Sequence, residues 1–183
     1  MERSEVWRQL VERVAAEYAV LDPVERDWVG CNCERIAELQ RQLDELFRRG
    51  EGEGTCRTCG GDCCALGHNH MTLANLLLLL SRGSEVPSLD FAATCPLLGS
   101  AGCLLPAEVR PYNCISFLCD KIEDRLSASE VKRFYALEQE LRSVYQAFAA
   151  RYAGGGLSGL LLAAQRLQGR PFLRRIDRDA TSP

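Results

Sequence analysis

Cysteines carry most of the chemistry available to this chain. Ten are present, and eight fall into three groups: Cys56-x2-Cys59-x3-Cys63-Cys64, Cys95-x7-Cys103 and Cys114-x4-Cys119. Two residues between thiols let both sulfurs reach one ion while nearby backbone N–H groups donate to them. Gly60 and Gly61 follow at once and permit the tight backbone that such a knuckle needs. The adjacent Cys63 and Cys64 project in different directions. The simplest arrangement divides them between two ions or within a multinuclear cluster. Eight thiolates match two tetrahedral sites, or one iron–sulfur cluster with four thiols to spare, and spacing leaves both open. The run from Cys95-Pro96 to Gly102-Cys103 predicts a short hairpin with a cysteine on each arm. Arg110-Pro111 then brings Cys114 behind a rigid turn, with Arg110 placed to donate to thiolate sulfur. Buried cysteines also serve as small hydrophobes, but eight in one Gly- and Pro-punctuated stretch exceed that use. The expected metal ligands are Cys56, Cys59, Cys63, Cys64, Cys95, Cys103, Cys114 and Cys119.

The remaining candidates have weaker patterns. Cys31-Asn32-Cys33 falls near the expected start of a helix and reads as a pair of thiols without metal. His68 and His70 flank Asn69 just before Thr72; imidazole suits zinc and iron, but the cysteines already supply enough donors. A redox use of Cys56-x2-Cys59 normally opens a helix in a βαβ setting, and here glycines follow it. No nucleophile–base pair, phosphate-cradling glycine loop or paired acid stands out, so no catalytic residues are expected.

The three cysteine groups, with Cys95-Pro96, Cys103-Leu104-Leu105 and Arg110-Pro111-x2-Cys114, resemble the YkgJ-type cysteine-cluster family, described as zinc- or iron-chelating domains. The resemblance covers about residues 55–120. It implies metal chelation and leaves the cellular role open. The chain departs from the family pattern at Pro106, where a tyrosine is usual, and at Ile115, where an arginine commonly follows the cysteine.

The elements that must hold this cluster read as helices. Trp7, Leu10, Val11, Val14, Tyr18 and Leu21 recur at helical spacing and predict a helix over 4–21, interrupted by Asp22-Pro23. A second is expected over 33–49, with Ile36, Leu39, Leu43, Leu46 and Phe47 on one face and Gly50 as its stop. Glu51-Gly52-Glu53-Gly54 has the composition of a flexible linker. Between 55 and 120 one helix is expected, over 73–81 and capped by Thr72, within turns and very short strands. Its apolar run Leu76 to Leu80 reads as buried. Ser127 and Glu130 form a capping box. The stripe Val131, Phe134, Leu141, Tyr145, Phe148 and Tyr152 then marks a long core helix ending at Gly154-Gly155-Gly156. A short helix over 158–167 and a loose tail close the chain.

The fold class expected is mainly α: a helical frame carrying a small, loop-rich cysteine knot with very short strands. One compact domain is expected, with a helical pair over 1–50, the cysteine region over 51–122, helices over 123–169 and a tail over 170–183. The chain has 183 residues, 46% of them hydrophobic, and a net charge of -3, enough for a core of its own. That charge leaves no basic footprint for nucleic acid. No apolar run is long enough to span a bilayer, and residues 1–7 do not read as a signal peptide. A cytoplasmic setting follows as the expectation, and there patterned cysteines favour metal over structural bridges. The function expected is chelation of zinc or iron through eight cysteines. The alternative is an iron–sulfur protein that moves electrons or supports a modification enzyme. The partner expected is the metal ion, with no nucleic acid and no membrane.

Overall fold

A computed structural model of the chain describes residues 2–59, 71–93, 95–99 and 102–176. Among them are eight α-helices and one two-stranded antiparallel sheet. The mainly helical class expected from sequence is what is found. No described helix is long and apolar enough to cross a membrane.

The frame is built on α2, Pro23–Arg49, which packs against α7, Ala128–Arg151. Asp22 starts α2: its carboxylate accepts from the Glu25 N–H at 2.9 Å, with Pro23 beside it in the first turn. The helix therefore begins ten residues before the expected start at 33. Asp-Pro is itself a start signal; apolar periodicity between Val24 and Cys33 is too sparse to reveal the first turns. Three ion pairs fix the direction of α7: Glu25 with Arg151, Arg35 with Glu140 and Arg49 with Glu130. Partner numbers fall along α7 as they rise along α2, so the two helices are antiparallel.

Helix α4, Leu73–Ser81, packs on α2, and α1, Arg3–Ala19, packs on α4 and on α8, Leu160–Leu167. Helix α4 is interior. Leu73, Leu76, Leu77 and Leu78 have no exposed surface, as expected for a helix apolar all round. Its first turn closes a capping box between Thr72 and Asn75. The aromatic stripe on α7 is core: Phe134, Tyr145 and Phe148 are buried, as is Tyr152 at its C-cap. The Ser127–Glu130 capping box is present.

Two further expectations fail here. Residues 51–54 are not a linker. From Gly52 they belong to α3, Gly52–Cys59, because glycine lets the backbone pass under a ring: a Cβ on Gly52 would lie 2.5 Å from Phe47. The C-terminal segment is not loose up to Ile176 either. Phe172 is wholly buried, Gly154 donates to the Phe172 carbonyl at 2.8 Å, and Tyr152 and Arg175 form an antiparallel bridge. The glycine run therefore works as a docking seat as well as a helix stop, since a Cβ on Gly154 would lie 2.6 Å from the Phe172 ring. Between 102 and 125 the chain also makes a 3-10 turn, Ala107–Val109, and two one-turn helices, α5, Tyr112–Ile115, and α6, Asp120–Glu123.

Candidate metal centre

Cys56 and Cys59 lie on the last turn of α3. Three residues apart, they share one face of the helix; the Cys-x2-Cys pair is thus on a helix end, where a loop knuckle was expected. The Cys59 thiol donates to the Cys56 carbonyl at 3.4 Å. Helix α3 is short and glycine-rich, so packing holds it. It lies on α6, whose N-cap is Cys119. A Cβ on Gly50, at the corner between α2 and α3, would lie 2.6 Å from the Ile122 side chain. Arg125 donates to Glu51 and to the Thr55 hydroxyl, each at 2.9 Å, and ties the far side of α3 to the end of α6. A cleft between the two is lined by Thr55, Thr58, Cys59, Lys121 and Arg125, among others. The first and last groups of the cysteine set thus sit on elements in contact, and Cys56 and Cys119 are both half-buried against the core.

The expected hairpin is present, but only Cys103 of its two cysteines is on an arm. Strands β1, Leu98–Gly99, and β2, Gly102–Cys103, pair with Cys103 opposite Leu98. Cys95 is buried in the turn before β1, where its carbonyl accepts from the Leu98 N–H at 3.0 Å, and Cys103 is exposed. Cys114 is the third residue of α5 and is exposed. Arg110 does not stand as expected. Its guanidinium donates to the Leu105 carbonyl at 3.2 Å and faces Asp44 at 3.5 Å, so a carbonyl and a carboxylate hold it.

Cys63, Cys64, His68 and His70 lie outside the described residues. Among the described residues, no group of three or more His, Cys, Asp or Glu is placed to hold a metal ion. The donor chemistry fits zinc or iron, since thiolates are soft ligands. The described geometry supplies a Cys-x2-Cys pair with a third cysteine on the neighbouring element.

Cys31 and Cys33 stand well inside α2. Cys33 is wholly buried, its Sγ is 4.0 Å from the Ala74 carbonyl oxygen, and burial pushes its thiol up to about 12. It is a core residue. Cys31 is exposed on the same helix.

Sequence reasoning missed a polar cluster beside Cys114. The Asn75 amide nitrogen donates to the Arg110 carbonyl and to the Tyr145 hydroxyl, each at 2.9 Å, and the Gln40 amide nitrogen donates to the same carbonyl at 2.8 Å. Gln40 and Asn75 have no exposed surface. Both carried a signal: Asn75 interrupts a leucine run, and Gln40 falls on the apolar face marked by Ile36, Leu39 and Leu43.

No protein-family model, no curated protein and no solved structure matches this chain at a significant level. The likeness to the cysteine-cluster family is accordingly one of motif and spacing.

Proposed function

We propose that the chain chelates zinc or iron through the thiolates of Cys56, Cys59, Cys63, Cys64, Cys95, Cys103, Cys114 and Cys119. The observation that carries this reading is the packing of α3 on α6, which sets Cys56 and Cys59 on an element that touches the one capped by Cys119. Thiolates so grouped are what zinc and iron select.

The described residues as they stand place no three donors around one ion. A four-coordinate site built from these thiolates therefore needs donors from 60–70 or a rearrangement of the described cysteines. Residues 60–70 hold two of the eight, Cys63 and Cys64. The alternative, bringing Cys95 and Cys103 in beside α3, requires the hairpin to move when metal binds. Both routes couple binding to local folding.

The test is protein purified without oxygen, with zinc and iron counted per chain and the absorption spectrum recorded. Zinc in a colourless protein, or iron bound without inorganic sulfide, supports simple chelation. A brown protein with iron and acid-labile sulfide replaces it with an iron–sulfur cluster on the same thiols. Neither metal after exposure to both contradicts the proposal.

A further inference from the structure

We infer that Gln40 and Asn75 are positioning residues for Cys114, acting through the carbonyl of Arg110. The inference deepens the metal-binding reading and rests on it for its purpose, though not for its geometry.

Arg110 precedes Pro111, so its carbonyl belongs to the peptide that leads into α5. That oxygen receives both amides, from Gln40 at 2.8 Å and from Asn75 at 2.9 Å. Asn75 also reaches the Val109 carbonyl at 3.4 Å. The next carbonyl, of Pro111, accepts from the Cys114 N–H at 2.9 Å. One fixed-φ proline therefore separates the clamped oxygen from the hydrogen bond that holds Cys114. The other side of α5 is fixed by α7. The Tyr112 ring meets the Tyr145 ring edge-on at 5.3 Å, and the Tyr112 hydroxyl is held by Glu138 and Arg142.

Stability alone does not account for Gln40. Its amide oxygen is buried with no hydrogen-bond partner among the described residues, while its nitrogen is committed to Arg110. A buried orphan acceptor costs stability that an apolar side chain of similar shape would not. What the glutamine supplies is direction: a second donor on one carbonyl, which fixes the turn that presents a thiol. Asn75 separates in the same way. Its oxygen serves the capping box with Thr72, and its nitrogen serves the turn.

Two variants split placement from folding. Gln40→Met removes one clamp and the orphan oxygen together, so thermal stability should hold or rise. Asn75→Asp keeps the cap oxygen and loses the donors to the turn. Protein stripped of metal by chelation is treated with iodoacetamide, and initial rates at Cys114 and Cys31 are read by mass spectrometry. The ratio of the two should depart from that of the unaltered protein by about threefold in each variant that folds, because a thiol's reactivity follows its surroundings. Zinc retention against a competing chelator should weaken by about tenfold, as for other residues that orient ligands. An unchanged Cys114:Cys31 ratio in Gln40→Met overturns the inference. A changed ratio in a protein that never binds metal removes the metal-binding reading and leaves the placement standing. Should Asn75→Asp fail to fold, Gln40→Met decides alone.

Discussion

Cys31 and Cys33 are two residues apart on one helix and have opposite fates. Cys31 faces solvent, whereas Cys33 is sealed in the core with its thiol pushed up to about 12 by burial. Their sequence pattern read as two equivalent thiols at a helix start. The pairing of α2 with α4 separates them, and no local signal reports that contact. Alkylation of the native protein at mildly alkaline pH is expected to label Cys31 and spare Cys33 until the chain is denatured. Peptide mapping checks this, and equal labelling would mean that α2 does not pack as described. The eight candidate ligands were legible because their spacing is local. Arg110 was not, because its partners are Leu105 and Asp44, the latter brought in by α2.

The helix starts capped by Thr72 and Ser127 could be read directly, whereas the Asp22 cap of α2 was passed over. The ends set by tertiary contact could not be read this way. Gly52 looks like linker until Phe47 is known to lie over it, and Phe172 looks like tail until it fills the seat at Gly154. Gly154→Ala should therefore lower stability by roughly 1–3 kcal/mol through overpacking against Phe172, read as a lower urea midpoint. A neutral result would mean that the seat is not formed. Glu25 joins three segments at once, through Arg151 at 2.6 Å, Tyr152 at 2.5 Å and Arg175. Its hydrogen bond with Arg151 is the main cause holding its carboxyl down at about 2 against an ordinary 4.5. The stability this gives is full above the unfolded value of 4.5 and is lost as pH falls toward 2. Glu25→Gln should start about 2 kcal/mol less stable at neutral pH and lack that part of the acid loss. Denaturation curves across the window check it, and parallel pH profiles for the two proteins would contradict it.

The molecule as a whole divides its stability unevenly. Helices α1, α2, α4, α7 and α8 share an apolar core. The cysteine region joins that core through α4 and through Leu105, Val109, Tyr112, Ile115 and Ile122, while the segments that carry its cysteines are short helices and a two-residue hairpin. Chelation is expected to leave far-ultraviolet circular dichroism largely intact while protease cleavage increases between 55 and 120. Unchanged protection there after complete metal removal would make the metal peripheral. The frame was legible in the sequence because helical periodicity is strong. That the first and last cysteine groups fall on neighbouring elements was not, since it depends on α3 packing on α6. The most direct test counts metal per chain in the unaltered protein, Cys59→Ser and Cys31→Ser, purified side by side without oxygen. Serine is a poor ligand for zinc or iron. The account predicts that Cys59→Ser loses metal and that Cys31→Ser retains it in full. Full metal content in Cys59→Ser would contradict the account.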